Sequence, residues 1–300
     1  MLRLGKFKSR GLSFDPAGFI FRGPRRLRIV RGGKRAAFRE EPMSNFDRNA
    51  APWSRGYART GADVDQGLRA FMLGVYNHMS IGLALTGLFA LGVNMLAVSG
   101  VPTQFQLGSH TYLTSFGAAI YTSPLRWVIM FAPLAFVLFF SFKINSMSAS
   151  SARGLFYAYA AVMGVSLSSI LLIYTGASVT RAFFITAASF GALSLYGYTT
   201  KRSLSGMGSF LMMGLFGLII ASLVNLFVQS SAFQFGLSIL TVLIFAGLTA
   251  YDTQSIKQMY LESDGYEDTT KKSINGALML YLDFINIFMA LVQLTGDRRS

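Results

Sequence analysis

Seven stretches of this chain are apolar for about as long as a helix needs to cross a bilayer's hydrocarbon core, roughly 20 residues. They run over residues 75–98, 125–142, 154–175, 181–200, 208–228, 235–256 and 274–294. Only 13% of the residues are charged and 52% are hydrophobic, against about 25% charged in ordinary soluble domains. A soluble fold of this length leaves about a quarter of its potential surface in water and cannot hide so much apolar area. The sequence therefore predicts an all-α, polytopic membrane domain over 70–296, with 297–300 as a short tail. Gly82, Gly87 and Gly92 in the first stretch suit close helix packing or are simply tolerated in lipid.

The net charge of +14 is unevenly placed. Residues 1–42 hold 12 Lys/Arg and three acids, hence +9; residues 43–300 hold 15 and 10, hence +5. Basicity thus belongs to the amino-terminal tail, where it reads as an orientation signal or an anionic-lipid contact rather than a nucleic-acid surface. Residues 1–69 lack a periodic apolar face and read as disordered. An organellar leader is one alternative for them, and a true start at Met43 is another. Lys143, Arg153, Lys201, Arg202, Lys257, Lys271 and Lys272 fall in loops on one side, against Arg126 and Arg181 on the other, which predicts a cytoplasmic amino terminus. Seven spans then put Arg298 and Arg299 outside, against the trend, unless one segment re-enters.

The chain has no cysteine and two histidines, so disulfides and thiolate or His-rich metal sites are excluded. No phosphate loop, nucleophile elbow or metalloprotease signature occurs. No enzyme activity and no cofactor are expected. Between residues 70 and 294 there are six acids. Glu262, Asp264, Glu267 and Asp268 share the last loop. Asp252 and Asp283 instead lie inside apolar runs, FAGLTAYDTQSI and LMLYLDFINIFM. An ionised Asp at mid-bilayer costs at least about 2.5–3.5 kcal/mol, so such a residue faces protein or water and is a functional candidate by default. Asp283, Asn286 and Gln293 fall at i, i+3 and i+10, one stripe of a helix, and Ser222, Asn225 and Gln229 repeat the pattern in the fifth span. Either stripe lines a wet path or hydrogen-bonds neighbouring helices. Counted from the expected helix ends, Asp252 sits roughly 7 Å deep and Asp283 roughly 13 Å, a mismatch of about one turn. If they meet, two carboxyls in contact cannot both ionise cheaply and hold one proton between them. Opened, they offer hard oxygen ligands suited to Ca²⁺.

The strings AYDTQ (Ala250–Gln254) and LYLDFIN (Leu280–Asn286), in order in the last two of seven spans, resemble the transmembrane Bax-inhibitor-motif family over about residues 70–294. The resemblance implies seven helices around a central last helix and a pH-sensitive Ca²⁺ leak. It places the sensor and gate on Asp252 and Asp283, which would contact the passing Ca²⁺. Asn286, Gln293 and Asn225 are the candidate pore-lining residues. Where the family can carry an arginine latch near the inner end of the second helix, this chain offers Lys143, which lacks the bidentate fork. The implied partners are the bilayer and Ca²⁺ or H⁺. A second reading is a non-transporting regulator that binds a membrane protease or a cell-death or stress protein. The expected location is a bacterial inner membrane, or else a mitochondrial one.

Overall fold

The computed structural model describes residues 61–107 and 111–299; the tail before Gly61, with Trp53 and Met43, and the loop residue His110 lie outside them. Seven helices long and apolar enough to span a membrane are present among the described residues. They are α1 (Gly61–Ala97), α3 (Leu125–Lys143), the pair α4 (Ala149–Leu167) and α5 (Ile170–Ile173), α6 (Gly176–Thr199), α7 (Ser205–Val228), α8 (Ser231–Met259) and α9 (Tyr266–Thr295). Each expected span has its helix, and the chain is an integral membrane protein. The first helix starts at Gly61, inside the stretch assigned to the tail, because Leu68 already packs on the core and Gly67 meets the Tyr260 ring. The connection after α1 carries regular structure of its own. Strands β1 (Val98–Ser99), β2 (Phe105–Leu107) and β3 (Thr111–Leu113) form a small antiparallel sheet in the order β1-β3-β2, and α2 (Ser115–Tyr121) follows. Thr114 joins the two parts: its hydroxyl accepts from Gly117 N at 3.0 Å and caps α2, and its backbone N–H reaches Ala97 O at 2.9 Å.

Successive crossings define two ends. The near end holds the start of α1 and the α3–α4, α6–α7 and α8–α9 connections; the far end holds the sheet, α2, the α7–α8 turn and the carboxyl terminus. The last helix does not re-enter. It crosses the whole bundle, and the chain beyond it is pinned at the far end, where Thr175 N donates to Asp297 O at 3.0 Å and Arg299 N to Ile173 O at 2.9 Å. Arg298 and Arg299 are therefore exceptions to the charge pattern.

α9 is the hub. It packs against α1, α4, α6 and α8, and 61% of its most apolar window is buried, against 11% for α3 and for α7. Those two peripheral helices turn large side chains outward, with Phe142 84% and Phe227 88% exposed. Lipid covers such a surface; water would not. Because lipid is as apolar as leucine, packing and interhelical hydrogen bonds rather than burial hold the bundle together. Gly164 lets α4 approach the Thr86 carbonyl of α1, and Gly197 lets α6 lie on Ala250 of α8. Between α1, α4 and α9, Thr86 gives its hydroxyl hydrogen to the carbonyls of Ala160 (2.9 Å) and Gly82 (3.0 Å), so the Tyr281 hydroxyl must donate to Thr86 Oγ1, at 2.6 Å. The Tyr281 ring meets Phe156 and Tyr159 edge-on. Tyr281→Phe keeps those ring contacts and deletes one donor, so thermal unfolding should report a loss of about 0.5–1.5 kcal/mol.

Candidate functional site: a carboxyl pair at the bundle centre

The register of α8 on α9 brings Asp252 to Asp283. Gly276 of α9 lies against Ile256 of α8. Running antiparallel from there, Asp252 comes within about one turn of Asp283, a gap that two carboxyl side chains bridge. The two carboxyls lie close enough to each other to interact directly. Asp283 is 3% exposed and Asp252 is half-buried. Two carboxylates brought this close repel each other, so ionising both at once is disfavoured.

Among the described residues neither aspartate has a cationic partner within salt-bridge distance. Lys143, the expected latch, is an exposed side chain at the end of α3 and joins neither aspartate. Lys257, one turn beyond Asp252, donates instead to Tyr198 O at 2.9 Å and sits over the Tyr198 ring. Among the described residues, the buried Asp283 Oδ2 has no hydrogen-bond partner. The pair thus forms a clasp between α8 and α9 whose two carboxyls are placed to share a proton.

Two features adjoin the clasp. Phe284, next to Asp283, packs between Phe183 and Phe190 of α6 with ring centroids 5.6 Å away on each side. This aromatic cluster floors a groove of about 1050 Å³ between α1 and α6. Thr253, next to Asp252, ends a chain of hydroxyls that starts in that groove. Thr253 donates to Thr249 O (2.7 Å), which leaves Ser194 to donate to Thr253 Oγ1 (2.9 Å) and Tyr76 to Ser194 Oγ (2.6 Å). One file of hydrogen bonds therefore ties α1, α6 and α8 beside the carboxyls.

The polar stripes resolve differently from one another. Asn286 donates to Leu282 O of its own helix at 2.8 Å. Gln293 and Asn225 meet at the far end through a residue the sequence pattern had not singled out. Asn225 Nδ2 donates to Gln234 Oε1 (2.7 Å), Gln234 Nε2 to Gln293 Oε1 (2.8 Å), and Ser238 Oγ to the same oxygen (2.9 Å). Gln234 and Ser238, one turn apart in an apolar stretch of α8, were the available signal. Ser222 and Gln229 are exposed and join nothing in this cluster; Gln229 instead ends α7 in a left-handed conformation (φ 50°).

Among the described residues no three His, Asp or Glu side chains converge. A resident Ca²⁺ takes six to eight oxygens, more than the aspartate pair supplies by itself. Of the loop acids, Asp264 pairs with Lys272 at 2.5 Å and Asp268 with Lys271 at 3.2 Å. His78 Nδ1 is bonded to the Tyr157 hydroxyl at 2.8 Å. Trp127 stacks on Phe131 beneath the Arg126 guanidinium.

Comparison with known proteins adds relatives over the same region. The family model for inhibitors of apoptosis-promoting Bax1 matches residues 68–300. The chain is 43% identical over 255 residues to a protein of Caulobacter vibrioides, covering 83% of this chain and 99% of that one. It is 46% identical over 236 residues to a protein of Rickettsia prowazekii, covering 79% and 93%. It is also 41% identical over 235 residues to the inner membrane protein YbhL of Escherichia coli, covering 78% and 94%.

Proposed function

The chain belongs to the Bax inhibitor family of membrane proteins, and from that premise we propose that it is a proton-controlled cation leak, with Ca²⁺ as cargo, gated by Asp252 and Asp283. The close approach of these two carboxyls inside the bundle, with no basic partner among the described residues, carries the reading. Both ions at once would be costly in so apolar a site. The exchange open to the pair at moderate pH is therefore between one shared proton and two. With one, the bond is charge-assisted and strong; with two, it is an ordinary and weaker bond. Acid loosens the clasp between α8 and α9, the Phe284 cluster beside it parts, and flux rises as pH falls.

The rest of the path follows the polar residues of the central helix. Asn286 and then the Asn225–Gln234–Gln293 cluster lead from the clasp to the far end. The basic residues gather at the near end, which we place on the cytoplasmic side of a bacterial inner membrane.

The test is Ca²⁺ entry into liposomes holding the purified protein, across about pH 5 to 8. A leak above that of empty liposomes, growing toward the acid end, is the expected result. Folded protein that passes no ion at any pH would sink the channel. It would favour a regulator that binds another membrane protein through surfaces other than the clasp.

A further inference from the structure

A second polar site lies at the near end, apart from the aspartate clasp. A cavity of about 460 Å³ opens between the start of α1, the first turns of α4 and the α8–α9 connection, and His78, Arg153, Glu262, Asp264, Thr270 and Ser273 are among its lining residues. Two of these hold donors with nothing to donate to. Among the described residues, Arg153 Nε is buried without a hydrogen-bond partner, and so is the hydroxyl of Ser273, a residue only 5% exposed. A fold that buries two free donors in one cavity has left room for an acceptor there.

The charges select the kind of acceptor. Arg153 cannot lose its proton, and its planar fork suits oxyanions that accept two parallel hydrogen bonds. It lies within electrostatic reach of His78 and Tyr157. The Tyr157 hydroxyl holds His78 Nδ1 at 2.8 Å, leaving the second ring nitrogen to the cavity that His78 lines. The two acids of the rim are already engaged: Asp264 with Lys272, and Glu262 by an interaction of its own. Arg153 lies in the first turns of α4 and the cavity reaches Gly67 of α1, so the site opens at the near end, where a lipid headgroup or a soluble anion could reach it.

We propose that this cavity binds a phosphate-type oxyanion, carried by a phospholipid headgroup or free in solution, with Arg153 as its anchoring cation and Ser273 and His78 as hydrogen-bond partners. The lipid and the free ion share this chemistry, and two probes separate them. Native mass spectrometry of the full chain in detergent counts retained phosphatidylglycerol, with diacylglycerol of the same chains as the phosphate-free control. Inorganic phosphate is then titrated against the protein with and without the lipid.

Wild-type protein should retain one phosphatidylglycerol and no diacylglycerol, or should bind inorganic phosphate saturably. Displacement of the lipid by millimolar phosphate would identify free phosphate as a competent ligand; lipid that phosphate does not displace would identify the headgroup. Arg153→Gln should weaken whichever probe binds by about tenfold to a hundredfold. Ser273→Ala should weaken it severalfold, and Lys201→Gln, a basic residue of the same end outside the cavity, not at all. If Arg153→Gln does not fold, Ser273→Ala and His78→Phe decide the matter. Binding of neither probe by wild type, or unchanged binding in every folded cavity variant, overturns the proposal.

Discussion

Asp283→Asn should fold, insert and still pass Ca²⁺, but its flux should no longer answer to pH. Asparagine keeps the size and shape of the aspartate, and its amide N–H can donate to the Asp252 carboxylate, so the contact between α8 and α9 survives. What disappears is the exchangeable proton. With a permanent donor at 283, only one carboxyl remains, and the two-group titration that distinguishes a pair is gone. The ratio of flux between about pH 5 and about pH 8 should fall to roughly one. Asp268→Asn, an exposed loop acid paired with Lys271, should leave the pH response intact. A variant at 283 whose profile matches wild type would remove the pair from the gate. Asp252→Asn should flatten the profile in the same way, since the proton belongs to both residues.

The second large effect is on stability. Gly197→Ala should cost about 2–3 kcal/mol, seen as a fall of roughly 5–10 °C in the midpoint of thermal unfolding. A Cβ at this position would lie 2.2 Å from Ala250 O, 2.9 Å from its carbonyl carbon and 3.0 Å from its Cα. All three are backbone atoms, which cannot rotate aside, so α6 and α8 would have to separate. Ala250 is two residues from Asp252, and the separation would pull on the clasp as well. Gly191→Ala, in the same helix, meets nothing within 4 Å and should be neutral or stabilising, by up to about 1 kcal/mol from helix propensity. Equal midpoints for the two variants would show that the α6–α8 approach is not the tight contact described.

The number and order of spans were legible because a helix crossing hydrocarbon must be apolar along its length. Where those helices end was not. α9 begins at Tyr266 rather than near residue 274 because YEDTTKKS continues the helix outside the apolar region, where hydropathy carries no signal. The β1–β3 sheet was invisible for another reason: strands of two or three residues are too short to show a period. At the site, Asp252 and Asp283 stood out as acids within apolar runs. Their contact depends on how α8 and α9 cross, and no one-dimensional pattern records that. Lys143 was placed by its distance from a helix end, yet its side chain faces outward. The two stripes holding Asn225 and Gln293 were found, while Gln234, which joins them, lay just before the apolar stretch of its helix, with only Ser238 one turn on to mark it.

Infrared difference spectroscopy of the reconstituted protein observes directly the proton proposed to be shared by Asp252 and Asp283. Spectra between about pH 8 and about pH 5 should show a protonated-carboxyl band that is absent from both Asp252→Asn and Asp283→Asn, with a midpoint matching that of the Ca²⁺ flux. A band that persists in both variants, or that titrates where the flux does not change, would contradict the account.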